Sequence, residues 1–304
     1  MLFLIGTLLP FRSADAQRFG KKDLPPALTR DSLIEKYSEY GTLVYLKCEN
    51  SVFPDDVRNF GYTYNGKKYP ASQHYSDSTV AVFIPKYYNA GRDVDILVHF
   101  HGWYNNVDSV LVQFELIEQL YESEKNAILI IPEVAKNAPD SYGGKMERKN
   151  GFKKLIGEVL DSLQERELIK NDKPGDIIIS GHSGAYRAIS YILLWGGLID
   201  NIKELYLFDG MYGHLERYTY WLDHYPAKFI NVYASDTGTR SETERMVENF
   251  SAWDFDYIYA FNEELTPDIL EDHRIIIIYT NLAHEELIHK SRNLYKFLMA
   301  SCFD

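Results

Sequence analysis

Two cysteines, Cys48 and Cys302, are all that the 304-residue chain contains. So few thiols exclude a disulfide scaffold and a cysteine-rich zinc site; at most one bridge, joining the two ends of an exported chain, is open to it. Positive charge is also in short supply: 32 Lys and Arg stand against 44 Asp and Glu, a formal net charge of −12 at pH 7. An acidic surface repels phosphate backbones, so no nucleic-acid partner is expected. No internal apolar run reaches the ~20 residues needed to cross a bilayer, so no integral membrane segment is expected in the mature chain. Internal repeats and low-complexity linkers are missing too.

What remains is a globular composition, 45% apolar and 25% charged. Leu2 to Phe11 is a short apolar run, and Ala14-Asp15-Ala16 follows it as a small-x-small site. Together they read as the core and cleavage site of a secretory signal peptide over residues 1–16, although no basic residue precedes the run. The expected product is exported, periplasmic or extracellular. Residues 17–304 are expected to form a single domain, with an N-terminal β extension over 17–90 and a core over 91–304. Tyrosine is abundant, with 24 residues, several of them clustered, as at Tyr62, Tyr64 and Tyr69 or Tyr212, Tyr218 and Tyr220. An apolar ring with a polar tip suits exposed binding surfaces as well as half-buried packing.

Residues 17–30 are polar, with Pro25-Pro26, and read as a loose leader. Leu43 to Lys47, Gly61 to Tyr69 and Thr79 to Ile84 read as strands, and Asn65-Gly66 as a hairpin turn. From Asp93 the pattern changes to near-continuous apolar runs alternating with helical periodicity. The strands are DVDILVHFHG from Asp93, AILIIPEV from Ala127, Asp176 to Ser180, ELYLFDG from Glu204, KFINVYASD ending at Asp236, and Arg274 to Thr280. Helices are expected at Val107 to Glu124, Phe152 to Leu168 and Ala185 to Trp195. Two more are expected, one after a capping box of Ser241 and Glu244 through about Phe250, and one from His284 to about Ala300. Six strands buried on both faces and joined by helices make a mostly parallel α/β sheet flanked by helices, with the opening hairpin as antiparallel edge strands. Ligands of such sheets bind beyond the carboxyl ends of the strands.

Chemistry-bearing residues gather at those ends. Ser183 lies in Gly181-His182-Ser183-Gly184-Ala185, between a strand and a helix, where a serine points above the sheet beside a helix N-terminus. A serine nucleophile needs a base and the base an orienting acid. His284, four residues past the last strand, is the best placed of nine histidines. Asp236, which ends the preceding strand, is the favoured acid, and Asp209, which ends the strand after the serine helix, the alternative. His101-Gly102-Trp103 ends an earlier strand, and the amides of Trp103 and Gly184 are the expected oxyanion donors. His284 and His289 are five residues apart, so HEELIH is not a zinc-protease motif. His99 and His101 share a strand face but have no carboxylate near in sequence, so metal-dependent hydrolysis through them is only a rival reading; a serine mechanism needs no metal and no cofactor, and none is expected.

The order Ser183, Asp236, His284, with a His-Gly loop one helix, one strand and another helix before the serine, resembles the α/β-hydrolase superfamily over about residues 79–300. Within it the exported esterase-like branch is most similar: feruloyl and acetylxylan esterases and polyester depolymerases. Ile84-Pro85 and Leu97 to Gly102 carry that likeness; Ala185 departs from the glycine usual in the elbow. The resemblance implies a serine esterase acting through an acyl-enzyme on a small-molecule or polysaccharide-linked ester. The alternatives are a peptidase or amidase on the same fold, and a non-catalytic binding protein on a hydrolase scaffold. The segment after Asp209 is too short for a large cap, and its Tyr212, Tyr218 and Trp221 are expected to line a substrate cleft.

Overall fold

The computed structural model describes residues 29–91, 93–235 and 237–304. The expected signal peptide therefore lies outside the described residues. Among the described residues eleven strands form: β1 Gly41–Lys47, β2 Tyr62–Tyr64, β3 Lys67–Tyr69, β4 Thr79–Pro85, β5 Val94–Phe100, β6 Ala127–Pro132, β7 Pro174–His182, β8 Ile202–Phe208, β9 Lys228–Ala234, β10 Ile258–Phe261 and β11 Ile275–Thr280. Nine of them make one sheet in the order β1-β4-β6-β5-β7-β8-β9-β11-β10. β1 and β4 run antiparallel at one edge, and every pair from β6 to β10 is parallel.

The six apolar runs of the sequence are the six consecutive inner strands, β6-β5-β7-β8-β9-β11. Their residues are buried on both faces because helices cover both. Ile96, Val98 and Phe100 of β5 pack into one core layer, and Leu97 into the other. Burying one such side chain contributes roughly 1.5–3 kcal/mol, so a run of them holds the sheet centre firmly. The Asn65-Gly66 hairpin forms, with φ of +48° and +76°, the paired positive angles of its turn type. It does not extend the main sheet as expected; β2 and β3 form a separate two-stranded sheet, and β1 and β4 supply the antiparallel edge.

Other departures have local causes. The expected helix Val107 to Glu124 is two helices, Val107–Gln113 and Leu116–Glu122, broken where Glu115 takes φ +51°. A helix over Arg30–Tyr37, in a stretch adjoining the expected leader, buries Leu33 and Tyr37. The final helix is only Asn293–Met299, and residues 284–292 are turns. The thiols of Cys48 and Cys302 are free. Among the described residues no helix is long and apolar enough to cross a membrane.

Candidate active site

Strand register brings the candidate residues together. Phe100 of β5 lies beside Gly181 of β7, and His182 of β7 beside Phe208 of β8. The residues that follow, the His101-Gly102-Trp103 loop, Ser183 and Asp209, therefore emerge side by side at the carboxyl edge of the sheet.

Ser183 takes φ +54° directly after β7. That region costs an L-residue roughly 1–2 kcal/mol, so the surrounding packing must hold it there. One short turn, Ser183–Ala185, then leads into the helix Tyr186–Trp195. Two glycines permit the close fit. A Cβ on Gly102 would lie 2.6 Å from the Cβ of Ser183 and 2.9 Å from the His182 carbonyl. A Cβ on Gly184 would lie 2.5 Å from Cδ1 of Trp103. The Trp103 indole thus lies over the turn, and its Nε1–H donates to Ser141 Oγ at 2.8 Å. Ser183 is left 9% exposed.

His284 Nδ1 lies 2.5 Å from Oδ2 of Asp209, which is fully buried. Oδ1 of Asp209 accepts from Thr237 Oγ1 at 2.7 Å, from the Thr239 hydroxyl, and from the Ala234 amide at 3.4 Å. Burial pushes the Asp209 carboxyl up, but the hydrogen bonds from His284 and the two threonines outweigh it and hold the group below the usual carboxylate range. With Nδ1 committed to a carboxylate, Nε2 is the basic nitrogen of His284. Asp236, the favoured acid, lies outside the described residues; Asp209, the alternative, is the carboxylate beside His284.

His182 locks the histidine loop to the turn. Its Nε2–H donates to the backbone carbonyl of His284 at 2.9 Å, and the two rings sit 4.5 Å apart. Burial first, and then the neighbouring His284, drive its pKa down to about 3, so the ring is neutral. His99 bonds Ser180 Oγ at 3.0 Å through Nδ1, and His101 sits between Gly102 O and Glu133. Among the described residues no group of three or more His, Cys, Asp or Glu side chains is arranged to hold a metal ion.

The expected cleft residues divide. Tyr212 is 37% exposed; burial pushes its phenol up to about 12, Asp209 adds to this, and a hydrogen bond with Ser183 opposes it. Tyr218 and Trp221 are fully buried and line no cleft. They lie on the core face of the amphipathic helix Leu215–His224, and Tyr218 donates to the Tyr186 carbonyl at 2.6 Å. Sequence reasoning passed over Ser141, which holds the indole, and Thr237 and Thr239, which hold Asp209. It also left Tyr64 without a place at the site; its ring meets Trp103 edge-on at 5.3 Å and brings the hairpin to the rim. Thr237 and Thr239 did carry a signal, two hydroxyls just past a strand end.

No family model matches the chain, and no curated protein matches it in sequence. Solved structures match in shape. The feruloyl esterase module from Clostridium thermocellum, as a serine-to-alanine mutant complexed with sinapinate, superposes with a TM-score of 0.55 at 10% identity, over 86% of this chain and 88% of that one. A ferulic acid esterase superposes with a TM-score of 0.53 at 12% identity, over 86% of this chain and 98% of that one. At these identities the likeness is one of fold, and the fold of this chain is that of the α/β-hydrolases.

Proposed function

We propose that the chain is a serine hydrolase that cleaves carboxylic esters through an acyl-enzyme. Ser183 Oγ attacks the acyl carbonyl while His284 Nε2 takes its proton. The tetrahedral oxyanion is held by the Trp103 and Gly184 amides. As it collapses, the C–O bond breaks and the leaving alcohol takes the proton from His284. Water, activated by the same imidazole, then releases the acid. Asp209 holds His284 in the tautomer with its proton on Nδ1 and stabilises the imidazolium that forms. Each oxyanion donor is worth about 2.7–4 kcal/mol in the transition state.

The observation that carries this reading is the 2.5 Å contact of His284 Nδ1 with the buried Asp209, one residue past the strand that neighbours the Ser183 turn. An ester is preferred to an amide because an alkoxide leaves more readily than an amine. Trp103 and Tyr212 offer aromatic surface beside Ser183, with Tyr64 packed against Trp103, which suits an aromatic acyl group. The two structural neighbours named as feruloyl or ferulic acid esterases share that substrate class by name. Export, with an extracellular or glycan-linked ester as substrate, remains part of the proposal and rests on residues 1–16.

Intact-mass labelling with a fluorophosphonate tests it. Wild type should take one label and Ser183→Ala none, and a panel of aryl and alkyl esters should then be turned over by wild type only. A folded wild type that takes no label would overturn the reading and leave a binding role on a hydrolase scaffold.

A further inference from the structure

His101 and Glu133 form a fully buried pair to which the proposed reaction assigns no part. Each is the first residue past its strand, His101 after β5 and Glu133 after β6, and the two strands are neighbours. His101 Nε2 lies 2.8 Å from Glu133 Oε1, and Nδ1 lies 2.9 Å from the Gly102 carbonyl oxygen. Both partners are acceptors, whereas a neutral imidazole has a single N–H. The Val134 amide also points at Nε2, at 3.4 Å, the longer of the two contacts there. The other oxygen of Glu133 faces Lys136 Nζ at 3.7 Å, a cation that suits an ionised carboxylate, and lies 3.5 Å from the Val107 amide. The two short contacts are both satisfied when His101 donates from both nitrogens as an imidazolium.

The carbonyl that His101 grips belongs to the same peptide group as the Trp103 N–H. That peptide is trans, so its C=O and N–H point in opposite directions. Among the described residues the Trp103 amide has no hydrogen-bond partner. Fixing the carbonyl toward the buried histidine aims the N–H the other way. A charged donor on the carbonyl also polarises the peptide and strengthens its N–H as a donor. Gly102, in that same peptide, already packs against Ser183.

We propose that the buried Glu133–His101 ion pair is a positioning device that aims and polarises the Gly102–Trp103 peptide as an oxyanion donor. This rests on the serine-hydrolase reading above. His101 and Glu133 touch no substrate; they act through the Trp103 amide. Loss of the pair therefore lowers kcat and leaves KM alone, because the bound ester carries no oxyanion and the charge develops only on the way to the tetrahedral intermediate.

The test is steady-state ester kinetics on Glu133→Gln, His101→Ala and the double variant, with 15N imidazole NMR of wild type and Glu133→Gln. Glutamine keeps the shape and, donating to Nε2, leaves a neutral ring with its proton on Nδ1. His101→Ala should lose about 100-fold in kcat, the lower end of the 10²–10³ that loss of a whole donor costs, and Glu133→Gln about 10-fold, short of that range, with KM within about twofold. The double variant should match His101→Ala, since Glu133 acts only through the histidine. Wild type should show both His101 nitrogens protonated, and Glu133→Gln only one. A neutral His101 in wild type, unchanged kcat in a folded Glu133→Gln, or additive losses overturn the proposal. A labelled, active wild type with those results overturns this proposal alone; an unlabelled wild type overturns the hydrolase reading and this one with it.

Discussion

Replacing Asp209 with asparagine separates the two candidate acids and has a magnitude that follows from the contacts. The Oδ1 position of Asp209 receives the Ala234 amide at 3.4 Å as well as the two threonine hydroxyls. The amide can only donate, so an asparagine there keeps its oxygen at Oδ1 and turns its NH2 toward His284 Nδ1. That nitrogen must then accept, which moves the imidazole proton to Nε2, where the base is needed to take one. The rotated asparagine would restore the tautomer but set NH2 against the Ala234 amide, and it would still lack the charge that stabilises the imidazolium. Both outcomes lower kcat; the first costs about 10⁴-fold, the scale known for this change in a Ser-His-Asp triad. Asp236→Asn, which leaves the Asp209–His284 contact in place, should fall by less than about threefold. The assay is kcat for an activated aryl ester, with thermal unfolding to establish that each variant is folded. Asp209→Asn within about tenfold of wild type, with Asp236→Asn the weaker enzyme, would refute the reasoning.

Two further predictions concern stability. At position 183 glycine should be more stable than alanine by about 1 kcal/mol, the reverse of the order in an ordinary strand or helix, because the backbone φ is +54°. Denaturant midpoints of Ser183→Gly and Ser183→Ala read this directly, and alanine equal or better would remove the strain from the argument. The second concerns acid. His182 is buried, and its pKa falls to about 3, driven by burial and by His284 and opposed by the His284 carbonyl and Asp209. The unfolded chain takes up this proton below about pH 6.5 and the folded chain does not. Stability is therefore full above pH 6.5 and is lost as pH falls, the loss from this group ending near pH 3. Each pH unit removes about 1.4 kcal/mol, so His182 accounts for roughly 2–3 kcal/mol between pH 6.5 and 4.5. The difference in that slope between wild type and His182→Gln, measured by urea unfolding, checks it; equal slopes would refute it.

How much of this the sequence discloses depends on whether a signal is local. The inner strands are legible because burial on both faces leaves an unbroken apolar run. β10 is a four-residue edge strand whose Tyr259 and Phe261 face outward, so nothing in its pattern marks it. Ser183 is legible because strand, turn and helix follow one another in sequence. The carboxylate beside His284 is not, since Asp209 and Asp236 each follow an apolar run in the sequence, and choosing between them requires knowing where the chain beyond His284 goes. That chain gives up helix over residues 284–292, while His284 Nδ1 reaches Asp209 and its carbonyl meets His182. The expected capping box fails for a related reason. The helix begins at Arg240 with Thr239 as its cap residue, yet the Thr239 hydroxyl makes no capping bond and donates instead to Asp209. Tyr218 and Trp221 are a different case, because their spacing was readable: Leu215, Tyr218, Trp221 and Leu222 fall at the i, i+3, i+6 and i+7 positions of a buried helix face. Aromatic type suggested a cleft where periodicity specified a core. Of the three, only Tyr212 precedes the helix, and it is the one that stands beside Ser183. For a residue just past a strand end, then, position relative to the next helix is a stronger guide to exposure than the identity of the side chain.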